Sequence, residues 1–187
     1  MNTISPLPVS EAPAAAQPVL EQVKRMLGRV PNMYGVMAHS PAVLDAYVQF
    51  NNALRKGNLG APMAERIALA AAEYNGCSYC LSAHSFLGAK AGLSDSDLLD
   101  ARKGKAADAK TNAGMQFTAK LMASPQNLSA DDLQALRQAG YTDGETLEII
   151  ANVVRNIFTN YLNVVAGTEV DWPDVIHPLN TTANESK

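Results

Sequence analysis

Apolar residues in this chain recur at spacings of three and four, and nowhere do they alternate over the length of a strand. Leu20, Val23 and Leu27 form a first stripe, closed by Gly28. Ser40-Pro41 supplies an N-cap and a first-turn proline for a helix through Val43, Leu44, Tyr47, Val48 and Leu54. Pro62 opens another, with Met63, Ile67, Ala70 and Tyr74 on one face, until Asn75-Gly76 interrupts it. A helix from about Cys77 to Ala91 follows, with Gly92 as its stop. Ser94 and Asp97 cap a short helix through Leu98 and Leu99. Met115, Phe117, Leu121 and Met122 mark the next, which ends before Pro125. Ser129 starts a helix carrying Leu133 and Leu136, and Thr142 with Glu145 forms a capping box for a long final one. The pattern predicts an all-α single domain, a bundle of seven to eight helices. Residues 1–18, with Pro6, Pro8, Pro13 and Pro18, read as an irregular arm, and 171–187 as a polar, extended tail. The stretches 91–98 and 139–147 look alike; each reads as a helix-stopping glycine followed by a helix-starting cap, with an internal duplication as the alternative.

Composition narrows the function. The 187 residues are 47% apolar and 18% charged, enough for a sizeable core. A net charge of −3 attracts neither nucleic acid nor an anionic membrane surface. No run approaches the roughly 20 apolar residues of a membrane span. Met1 to Pro8 has no basic region followed by an apolar stretch, so no signal peptide is expected. The expected compartment is the reducing cytoplasm, where a lone Cys-x-x-Cys is catalytic or metal-binding more often than a structural staple.

Cys77 and Cys80 are the only cysteines, and they share one run with His84: Cys77-Ser-Tyr-Cys80-Leu-Ser-Ala-His84. On a helix, spacings of three and four stack side chains on one face. Two thiols that can cycle to a disulfide, beside a base, are the minimal equipment for thiol redox chemistry. Asn75-Gly76 places both thiols at the helix start, where unpaired N–H groups and the helix dipole favour a thiolate. Position favours Cys77 as the more activated thiol, because it is nearer the start. The four-residue spacing to His84 favours Cys80.

The run Glu65 … Cys77-x-x-Cys80-x-x-x-His84, with twelve residues from Glu65 to Cys77, resembles the active-site signature of the alkylhydroperoxidase D-like (AhpD-like) proteins of the carboxymuconolactone decarboxylase superfamily. The segment from Glu73 to His84 and the stretch from Asn156 to Pro173 resemble its peroxidase-related subgroup, with 40–125 as the family-like core. The resemblance implies an all-α fold and reduction of hydroperoxides through a Cys77–Cys80 disulfide. It makes Cys80 the residue that becomes a sulfenic acid and Cys77 the one that resolves it. Glu65 and His84 relay protons. An external dithiol, of lipoyl or thioredoxin type, regenerates the thiols. No metal, flavin or haem is implied, and no flavin or nicotinamide fingerprint is present. Tyr79 departs from the pattern, since family members often carry a histidine there.

Other readings compete. Cys77, Cys80 and His84 would give zinc three ligands, one short of a structural site. A decarboxylase of the same superfamily would not call for Cys-x-x-Cys. A non-enzymatic helical oligomer with a regulatory disulfide is a third possibility. Glu73 rivals Glu65 as the carboxylate, His39 reads as a loop residue, His177 as solvated, and Tyr74, Tyr79 and Phe86 as core or pocket wall. The last helix carries Leu147, Ile149, Ile150, Val153, Val154, Ile157, Phe158, Tyr161, Val164 and Val165 on more than one face. That excess predicts a homo-oligomer, and the resemblance implies a dimer, trimer or hexamer.

Overall fold

A computed structural model of the chain describes residues 3–173. Nine α-helices and no strand occupy them: α1 (Gln17–Leu27), α2 (Asn32–Met37), α3 (Pro41–Leu54), α4 (Ala61–Tyr74), α5 (Ser78–Lys90), α6 (Asp95–Arg102), α7 (Ala109–Ala123), α8 (Ala130–Gln138) and α9 (Asp143–Ala166). Local signals set most boundaries. Ser40 caps α3 through the Val43 N–H, and capping boxes start α6, α8 and α9. Gly28 closes α1 and Gly167 closes α9, both in the left-handed region.

The all-α reading holds. The helix that the periodicity does not announce is α2, six residues long and too short for a stripe. It follows Pro31, and its Gly35 is a point of close approach. A Cβ there would meet the Cβ of Pro6 at 2.8 Å and the carbonyl oxygen of Leu7 at 2.9 Å. The N-terminal arm lies against this bare backbone, with the Leu7 N–H donating to the Gly35 carbonyl at 3.1 Å. It also buries Ala12 and Ala16, so it packs as part of the bundle.

Two apolar clusters result. One joins the arm to α1, α2 and α3 around Leu20, Val23, Met37 and Leu44. The larger surrounds α4, the central helix, which packs against α5, α6, α7 and α9. Ile67, Leu69, Met115, Ile149 and Val153 are almost wholly buried there, together with both cysteines. Burying such side chains stabilises the fold by about 1.5–3 kcal/mol each. Among the described residues no helix is long and apolar enough to cross a membrane.

Candidate active site

The site forms where α5 begins against α4 and α9. Gly76, at φ 65°, turns the chain between α4 and α5 in a conformation that disfavours a side chain. Cys77 is therefore the N-cap of α5 and not its first helical residue. Its sulfur accepts the Cys80 N–H at 3.2 Å. The two cysteines are joined in a disulfide with their Cα atoms 5.3 Å apart, within the usual range. Cys77 and Cys80 are 1% and 2% exposed as residues, yet they are not equivalent. Cys80 lines a cavity of about 360 Å³, and Cys77 is not among its lining residues.

Glu65 and His84 line the same cavity, 19 positions apart in sequence. His84 Nδ1 lies 2.7 Å from Glu65 Oε2. The carboxylate can only accept, so Nδ1 carries the proton and Nε2 is left free to accept one. Glu65 sits in the second turn of α4, past the first-turn positions where it would serve only the helix dipole. Gly88, one turn beyond His84, lets the helices close: a Cβ there would meet Leu98 at 2.8 Å and the Glu65 Cβ at 3.7 Å. The rival carboxylate Glu73 is taken by Arg102 Nε at 2.8 Å. His39 lies away from this group, its Nε2 2.9 Å from the Ser5 carbonyl oxygen, and His177 falls outside the described residues. Among the described residues no group of three or more His, Cys, Asp and Glu side chains could hold a metal ion.

Tyr79 is buried and accepts the Met33 N–H at 3.3 Å. Burial raises its pKa well above the ordinary tyrosine value, so the hydroxyl stays neutral. Tyr34 and Tyr47 line the cavity too, and burial pushes both hydroxyls up. The chain after α9 closes one side. Asp171 accepts the Arg29 guanidinium and the Asn32 N–H, the latter at 3.0 Å. Trp172 reaches the cavity wall with Arg29 over its ring at 4.6 Å and Phe86 at 5.8 Å.

Helix α9 contributes to the site residues that the thiol run does not point to. Asn163 is buried and donates Nδ2–H to the Cys80 sulfur at 3.4 Å. Asn160 accepts from Asn75 Nδ2 at 2.9 Å and so steadies the turn before Cys77. Asn152, Arg155 and Thr159 continue the same stripe along the cavity. The signal was available: polar residues at 152, 155, 156, 159, 160 and 163 keep helical spacing within an otherwise apolar helix.

Residues 41–121 match the carboxymuconolactone decarboxylase family. The fold is similar to that of an uncharacterized peroxidase-related protein from Silicibacter sp. TM1040, 24% identical, with 87% of this chain and 88% of the other covered and a TM-score of 0.77. A second uncharacterized peroxidase-related protein, with an alkylhydroperoxidase AhpD core, comes from Ralstonia eutropha JMP134; it is 23% identical, with 91% and 94% covered and a TM-score of 0.80. A cysteine-to-alanine variant of the debrominase Bmp8, in complex with 2,3,4-tribromopyrrole, is 20% identical, with 91% and 92% covered and a TM-score of 0.76. At these identities the likeness shows a shared fold. No curated protein sequence gives a significant match.

Proposed function

We propose that this chain is a thiol-dependent hydroperoxide reductase of the alkylhydroperoxidase D-like type, a reading supported by the match of residues 41–121 to the carboxymuconolactone decarboxylase family and by the fold shared with peroxidase-related proteins. The observation that carries this reading is the Cys77–Cys80 disulfide beside a cavity that holds Cys80 and the hydrogen-bonded Glu65–His84 pair. In the reduced protein the Cys80 thiolate attacks the distal oxygen of a hydroperoxide. The O–O bond breaks, Cys80 becomes a sulfenic acid, and the alcohol leaves with a proton relayed from His84. Cys77 thiolate then attacks the Cys80 sulfur, releasing water and forming the disulfide. An external dithiol of lipoyl or thioredoxin type reduces it, so one hydroperoxide is consumed per dithiol oxidised. Cys80 takes the first role because it faces the cavity. Cys77, behind it at the N-cap, takes the second. The cycle suits a reducing compartment such as the cytoplasm.

A second substrate class is favoured by the size of the cavity. A volume of about 360 Å³ exceeds what hydrogen peroxide needs and falls within the range of small-molecule sites. The same dithiol could remove a halogen from an aromatic ring, as the similar debrominase acts on brominated compounds. The thiols would supply the two electrons, and halide would leave. Stopped-flow consumption of an alkyl hydroperoxide and of a bromopyrrole, with a panel of dithiol donors, separates the two. Mass spectrometry after one equivalent of peroxide should show loss of two hydrogens. Cys77→Ser should trap a sulfenic acid on Cys80, and trapping only in Cys80→Ser would reverse the roles. His84→Ala and Glu65→Gln should each slow the reaction by about 10²–10⁴-fold. Turnover of a muconolactone-type substrate that survives alkylation of both thiols would favour a decarboxylase instead.

A further inference from the structure

Three arginines are buried in this protein: Arg66, Arg102 and Arg155. Two of them have a carboxylate partner. Arg66 pairs with Asp97 at 2.7 Å and Arg102 with Glu73 at 2.8 Å. This is the general rule, because an unpaired charge is costly away from water. Arg155 breaks it. It is 8% exposed, and among the described residues no carboxylate pairs with it. Its Nη1 donates to the amide oxygen of Asn51 at 2.8 Å, a neutral acceptor that fixes the guanidinium without cancelling its charge. It is also the only one of the three that lines the cavity holding Cys80.

The rest of the cavity offers that guanidinium no carboxylate in contact. Its one acidic lining residue, Glu65, is hydrogen-bonded to His84 at 2.7 Å, and with a second arginine, Arg55, at the rim the lining sets two guanidinium groups against one carboxylate. Tyr34 and Tyr47 remain neutral because burial raises their pKa values. A low-dielectric pocket with an uncancelled guanidinium favours an anion, and the planar fork of arginine matches a carboxylate in particular. Position adds a length. Arg155 and Asn163, which touches the Cys80 sulfur, are eight residues apart on α9, roughly 12 Å along the axis. An acid bound at Arg155 thus meets the thiol through a ring- or chain-sized spacer.

We infer that the substrate of this site is a small organic acid whose carboxylate is held by Arg155 while its reacting group lies at Cys80. The inference rests on the reading of Cys80 as the reacting thiol, but its test needs no turnover. Benzoate and benzamide, which share shape and differ in charge, are titrated calorimetrically into the oxidised protein. Benzoate should bind more tightly by about tenfold or more, the usual effect of a hydrogen bond to a charged group. Arg155→Gln should abolish the preference, and Arg155→Lys should keep part of it. Should Arg155→Gln fail to fold, Asn51→Asp supplies an internal carboxylate at the position that already touches the guanidinium, and it too should abolish the preference. Equal binding of the two probes to the wild type would overturn the inference, as would a preference that survives these changes. Benzoate selectivity in a protein that reduces no hydroperoxide would leave the acid site standing and remove the peroxidase reading. Peroxide reduction without selectivity would do the reverse.

Discussion

The two faces of α9 invert the usual helix. Facing inward are Asn152, Arg155, Asn156, Thr159, Asn160 and Asn163, all buried, with Ile149 and Val153 among them. Facing outward are Leu147, Val154, Phe158, Tyr161, Val164 and Val165, between 40% and 70% exposed. A surface helix ordinarily places its apolar stripe toward the core. Here the inner amides are held close to home, as where Asn152 and Asn156 donate to carbonyls four residues earlier, or are turned toward the site, as at Asn163. The inner face is polar because it lines the cavity. The outer face is apolar and exposed; we propose that another copy of the chain covers it, and the two faces therefore predict different experiments.

The largest effect is expected on the outer face. Phe158 and Val154 line an apolar groove with Val43 and Phe50 of α3. Light scattering should give the wild type a mass that is a multiple of 19.9 kDa. Phe158→Lys should weaken association by roughly a hundredfold or more, because an unpaired charge buried in an interface costs about 3–5 kcal/mol and Arg155, which also lines the groove, gives a cation no partner. A wild-type mass of 19.9 kDa at micromolar concentration would break the comparison on this side.

Next comes a pair two residues apart on opposite faces. Ile149 is fully buried and Leu147 is 66% exposed. Ile149→Ala should lower unfolding stability by about 2–5 kcal/mol, through lost transfer energy and a residual cavity. In a Phe158→Lys background, where assembly does not enter, Leu147→Ala should stay within about 0.5 kcal/mol. Denaturant melts that show equal costs would mean that the faces are wrongly drawn.

Much of the fold was legible because it is punctuated locally. Ser94 with Asp97 reads as a capping pair and Thr142 with Glu145 as a capping box, and both form capping boxes. What escaped was tertiary. No periodicity marks α2, and no local rule announces that the arm at Pro6 and Leu7 would settle on Gly35. Of the candidate site, the thiols and His84 lie on one short run, so helical spacing alone groups them. Glu65 joins them only through the packing of α4 on α5, and its link to His84 rested on resemblance. Arg155 and Asn163 were hidden for a different reason. Polar side chains on a helix read as a solvated face, and only the position of α9 across the cavity turns them inward.

The inner face has its own test at the thiol. The Asn163 amide is the neutral donor closest to the Cys80 sulfur on α9. Donation to the thiolate favours that form, so Asn163→Ala should raise the Cys80 thiol pKa and slow its alkylation at neutral pH by about tenfold. The measurement is the pH profile of iodoacetamide labelling of Cys80 in the reduced protein, followed by peptide mass. A profile that does not move would show that the polar face of α9 fills space beside the thiol without tuning it.

The smallest effect belongs to the end of the helix, which serves neither face. Glu145 accepts the Thr142 N–H at 2.8 Å and the Thr142 hydroxyl at 2.9 Å. These bonds, the backbone one first, hold its pKa below the ordinary carboxylate value. A group lowered in the folded state contributes stability that is fully present above its unfolded pKa, about 4.3, and is lost as pH falls through the folded value. Glu145→Gln keeps the shape and removes the charge. It should cost about 0.3–1 kcal/mol at pH 7, the usual worth of a carboxylate at a helix N-terminus. The gap to the wild type should close as the pH falls below about 4. Mass by light scattering and Cys80 labelling should not change, because packing of the two faces, and not the cap, sets the rotation of α9. A shift in either readout would show instead that the first turn of the helix controls how its faces are presented.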